Sequence, residues 1–225
     1  MPSRCSALRF CLGFGLFALF TAKACAAAQA PSAEAALLDA DRYLLLFSAT
    51  GDDRFLDRLA PAGKRFTAAL AERKDASALQ STWSSFQQSV DKTHADYTSH
   101  RIDLKTTQTQ ALQTADQLDT YLKAHPAADA GSLPDNLRNH ALQIARLANL
   151  RLVDANHAPD EEAQVKASGE AIQKQIDALE NSQPAVFADL DKRWRYLKAG
   201  QTSGKLLLYP FNAQIEAMLG KLQGQ

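Results

Sequence analysis

Asp41, His94, Arg101 and Arg151 interrupt the apolar seams of this chain, and they are the side chains best placed to do chemistry. Asp41 falls at the centre of the face shared by Leu37, Leu38, Leu44 and Leu45 if the segment is helical. A carboxylate there must be paired, hydrogen-bonded or protonated. His94 and Arg101 take seam positions between Val90, Tyr97 and Leu104, and Arg151 lies beside the stripe of Ile144 and Leu147. Two readings follow. In the first, Arg101, Arg151 and His94 line a pocket inside a helical bundle and hold a carboxylate or other small anion, because a planar guanidinium grips such a group bidentately. In the second, Asp41 pairs with one of the arginines, or the arginines run their stems to solvent.

Other chemistries lack their residues. Asp91-Lys-Thr-His94 and Asp154-Ala-Asn-His157 each set a carboxylate and an imidazole three apart on one helix face. Helical di-metal proteins use Glu-x-x-His with further glutamates, a pattern absent here, so no metal is expected. No Cys-x-x-Cys-His is present for covalent haem, and no cofactor is expected. Gly-x-Ser-x-Gly, phosphate-loop, His-Glu-x-x-His and dinucleotide motifs are all missing, so the expectation is a protein that is not an enzyme.

Residues 1–28 read as a cleaved secretory leader. Arg4 and Arg9 form a basic start, Phe10 to Thr21 is apolar, and Ala24 to Ala30 is rich in small residues. The apolar stretch is shorter than the ~20 residues a membrane helix needs. Lys23 just before Cys25 argues against lipid anchoring at that cysteine. The leader carries all three cysteines and three of the 25 basic residues, leaving 22 against 25 acidic ones, a formal charge near −3. That balance, with no basic cluster, argues against nucleic acid. Residues 29–225 contain no second membrane-seeking segment, and the expected compartment is the periplasm.

The remainder reads as helix throughout: an all-α, elongated antiparallel bundle of the four-helix type. Ser32 caps a helix over 33–49, Thr50-Gly51-Asp52-Asp53 turns the chain, and a second helix runs over 53–74 with a kink or late start at Pro61. Residues 78–124 hold neither Gly nor Pro and keep apolar residues at three- and four-residue steps. One long helix is the simplest reading, with a break near Ser99 as the alternative in its Thr-rich middle. Further helices are expected over 134–156, 160–182, 184–198 and 211–223, with Trp83 and Trp194 as core anchors. Both tryptophans follow an apolar helix, an acidic turn and a second helix, so the chain reads as two duplicated halves, 32–126 and 132–225, sharing the long helix.

Leu44-Leu45-Leu46-Phe47-Ser48-Ala49-Thr50-Gly51-Asp52-Asp53-Arg54-Phe55-Leu56 resembles a segment of extracytoplasmic CHASE-type sensor bundles, where an apolar helix meets a Thr-Gly-Asp turn and an Arg-Phe-Leu helix start. Arg146-Leu147-Ala148-Asn149-Leu150-Arg151-Leu152 is similar to the arginine-bearing helix of the sensor domains of type IV pilus chemotaxis transducers, without the Gly that usually precedes it. The resemblance implies a helical bundle that takes a small molecule between helices or at a dimer seam. The expected function is therefore an exported, sensor-like binding module for a small carboxylate or anion. The alternative is a structural or protein-interaction component of the cell envelope that docks a partner protein or a second copy.

Overall fold

The computed structural model describes residues 32–71, 76–99, 103–126, 129–202 and 207–224, with side chains not described at 76–78 and 202. The leader, Cys25 and Arg101 lie outside the described residues. Those residues form an all-α bundle: α1 Ala33–Thr50, α2 Arg54–Leu70, α3 Ala76–Thr98, α4 Leu104–Ala124, α5 Leu133–Val153, α6 Ala158–Asp177, α7 Pro184–Thr202 and α8 Leu208–Gln223.

Local chemistry sets the helix ends. The Ser32 hydroxyl accepts from the Ala35 N–H at the start of α1, and the Ser132 hydroxyl accepts from the Asp135 N–H at the start of α5. Gly51 ends α1 at φ 65°, its N–H bonded to Phe47 O. The ring of Tyr97 presses on this turn so closely that a Cβ on Gly51 would lie 2.5 Å from Tyr97 Cε1. Tyr97 OH donates to Ser48 O at 2.6 Å, tying α3 to the end of α1.

The long helix expected over 78–124 is two helices. α3 stops at Thr98, and α4 starts after Asp103, whose carboxylate accepts from the N–H groups of Lys105 and Thr106. Trp83, Phe86, Ala111, Ala115 and Leu118 of the expected seam are buried while Leu104 is exposed, and the two helices pack side by side. Pro61 does not delay α2, which begins at Arg54 and runs through it. α7 continues through Gly200 to Thr202, beyond the end expected at Lys198.

Helices α1 to α4, with Leu142 and Ala145 of α5, form one apolar core, and α5 to α8 a second. Within each set consecutive helices are neighbours and the fourth returns to the first; the sets join through α1 against α5 and α4 against α5. Of the two helices into which the long helix divides, α4 packs against both α1 and α5. Trp83 stacks on Phe86 in the first core, and Trp194 is enclosed in the second, edge-on to His140.

The junction has a large effect on α1. Its apolar residues lie all round the helix, and every residue from Ala33 to Ser48 is buried. The charges Asp39, Asp41 and Arg42 therefore lie inside the protein.

Candidate functional site

Arg42 is the least expected of these charges. It is 1% exposed, with Asp39 one turn earlier on the same side of α1 and Tyr43 next in sequence. α2 brings Arg58 and Arg65, two turns apart, to the same place; α5 brings Arg138, which is 4% exposed, and α8 brings Glu216. Together they line a cleft of about 300 Å3.

Asp39 is shared among three guanidinium groups. Its Oδ1 lies 3.1 Å from Arg42 Nη2 and 3.7 Å from Arg138 Nε, while Oδ2 accepts from Arg65 Nη2 at 3.3 Å. On the other side Arg42 Nη2 donates to Tyr43 OH at 2.8 Å, and Tyr43 OH donates to Glu216 Oε1 at 2.7 Å. Asn212 Nδ2 also donates to Glu216 Oε1, and Arg58 stands 3.6 Å from Glu216 Oε2. Burial opposes charge on Arg42, but Asp39, Tyr43 and Glu216 hold its proton more firmly than usual. Burial likewise pushes the Tyr43 phenol up to about 12, so it remains a donor.

These contacts leave donors unused. Arg42 Nε and Nη1, Arg65 Nε and Arg138 Nε are buried without a hydrogen-bond partner, and so are the acceptors Asp39 Oδ1 and Asn212 Oδ1. An unmade bond to a buried charged donor is costly. Four guanidinium groups face two carboxylates, so the lining carries a formal charge of +2. Such a lining can hold an anion by charge-assisted, bidentate hydrogen bonds.

Of the residues singled out by spacing, Asp41, His94 and Arg151 are not brought together, and Arg101 lies outside the described residues. Asp41 is fully buried, but on another side of α1, and neither carboxylate oxygen has a hydrogen-bond partner. Burial pushes its carboxyl up to about 7, against the pull of Arg146, with Asp119 and Asp116 adding to the rise. Arg146 itself is engaged by Asp116 at 2.6 Å. Among the described residues, Asp41 thus makes no direct pair with an arginine. His94 is exposed on α3, its ring centroid 6.1 Å from that of Phe47, and is not a seam residue. The side chain of Arg151 is 61% exposed in the last turn of α5 and bonds Glu162 at 2.9 Å, at a cavity of about 490 Å3 between α5, α6 and α8. Neither Asp41 nor His94 lines that cavity.

Sequence reasoning passed over Arg42, Arg58, Arg65 and Arg138. The available signal was the circumference of α1: with Leu and Phe all round it, any charge it carries must be buried. Among the described residues, no group of three or more His, Cys, Asp or Glu side chains could hold a metal, and no helix is long and apolar enough to cross a membrane.

Neither a protein-family model, nor a curated protein, nor a solved structure matches this chain.

Proposed function

We propose that this protein is a non-enzymatic binding module that takes a small anion into the cleft between α1, α2, α5 and α8. Arg42 and Arg138 form its floor, with Arg65 and Arg58 towards solvent. The observation that carries the reading is a pair of almost wholly buried arginines on a cleft wall with N–H groups that have no partner. Folding has already met the desolvation cost of these charges, and an anion that reaches their buried N–H groups recovers hydrogen bonds the folded protein leaves unmade. The reading includes an exported, sensor-like role, in which occupancy of the cleft braces α1 against α5 at the junction of the two helix sets.

Thermal melting with small carboxylates and oxyanions at constant ionic strength tests this. A ligand at about 100 times its Kd adds about 2.7 kcal/mol to the folded state, roughly 5–10 °C for a chain of this size. The rise should be lost in Arg65→Gln and kept in Arg151→Ala. A flat series, or a rise that Arg151→Ala alone removes, contradicts the assignment.

A further inference from the structure

We infer that the ligand of the arginine cleft carries two negative charges. This rests on the anion-binding reading and adds the ligand's charge class. Arg42, Arg58, Arg65 and Arg138 supply four fixed positive charges, and Asp39 and Glu216 return only two. Arg42 and Arg138 are buried, while Arg65 and Arg58 are partly exposed at the mouth; a monoanion would leave the cleft at a formal charge of +1 and a trianion at −1. A dianion closes the balance.

The contacts show that the internal carboxylates do not do this work themselves. Asp39 meets its three arginines at 3.1, 3.3 and 3.7 Å, beyond the ~2.7–2.9 Å of a strong charge-assisted bond. Glu216 is occupied by Tyr43 and Asn212 and meets Arg58 only at 3.6 Å. The free N–H groups belong to three helices, with Arg42 on α1, Arg65 on α2 and Arg138 on α5. Donors from separate helices suit a ligand with several acceptor oxygens, which both a phosphate-type oxyanion and a small dicarboxylate provide.

Calorimetric titration of the purified protein at pH 8 and matched ionic strength tests the inference, with sulfate, inorganic phosphate and succinate against acetate and nitrate. The dianions should bind at least about tenfold more tightly than the monoanions. Arg65→Gln lowers the residual charge to +1 and should cut dianion affinity by at least about tenfold while moving monoanion affinity by less than about threefold. Arg58→Gln, at a more exposed position, should act in the same direction if Arg65→Gln does not fold. A preference for sulfate and phosphate identifies an oxyanion ligand, and a preference for succinate a dicarboxylate; either supports the inference. Equal binding of acetate and sulfate overturns the charge assignment and leaves the anion site standing. No saturable binding by any of the five overturns both.

Discussion

Arg42 Nη2 lies 3.1 Å from the Oδ1 of Asp39, one turn earlier on α1, while Arg42 Nε and Nη1 have no partner at all. The pair is buried, charged and half satisfied. A buried ion pair built only for stability would be expected to use its donors, since replacing such pairs with apolar residues is often neutral or stabilising. Unused donors on a cleft wall fit a pair that waits for a third group.

Asp41 gives the first prediction. Burial pushes its carboxyl from the ordinary 3.8 up to about 7 in the folded chain. The folded state therefore holds the extra proton between those values, and stability falls as pH rises through that window. Asp41→Asn keeps the shape and removes the charge. It should be more stable than the parent above pH 8 by roughly 3–4 kcal/mol, with the gain vanishing near pH 4. Urea denaturation at the two pH values measures this, and a variant less stable at pH 8 would contradict it.

His140 predicts the opposite slope in the second helix set. Gln201 Nε2 donates to its Nε2 at 3.0 Å, which assigns the proton to Nδ1, 2.8 Å from Ser168 Oγ. Ser168 in turn donates to Gln143 Oε1. Burial lowers the imidazole from 6.5 to about 4, so the stability it carries is complete above 6.5 and is lost as pH falls through 4. The loss should reach about 3 kcal/mol. An NMR titration should find the His140 ring neutral at pH 5.5; a midpoint near 6.5 would refute the enclosed, neutral imidazole.

Asn149 couples the two sets. Fully buried on α5, it donates to Leu45 O at 2.9 Å and to Ala145 O at 2.8 Å, and accepts from Ser48 Oγ at 3.0 Å. Asn149→Ala strands the Ser48 hydroxyl and should cost about 1–3 kcal/mol, read by chemical denaturation. A change below about 0.5 kcal/mol would mean that apolar packing alone holds α1 to α5.

The helical class, the Ser32 cap, the Gly51 turn and the burial of Asp41 were legible because each depends on residues close in sequence. The reversal between α3 and α4 was only weakly marked, since a three-four apolar rhythm reads the same whether a helix continues or folds back; Asp103 was the local sign. Arg151 follows the second of the two readings: beside an apolar stripe, it points outward in the last turn of its helix, where Glu162 meets it. The circumference of α1 marked Arg42 as buried, but the company it keeps, and the burial of Arg138, were hidden for a tertiary reason. Both depend on α5 and α8 closing over α1, and no spacing within α1 reports which neighbours arrive.

The most direct test of the central claim is calorimetric titration of sulfate, inorganic phosphate and succinate into the parent protein, Arg65→Gln and Arg151→Ala. The arginine cleft predicts saturable single-site binding of at least one dianion to the parent. That binding should be at least about tenfold weaker in Arg65→Gln and unchanged in Arg151→Ala. No binding to the parent, or binding that survives Arg65→Gln and disappears in Arg151→Ala, would contradict it.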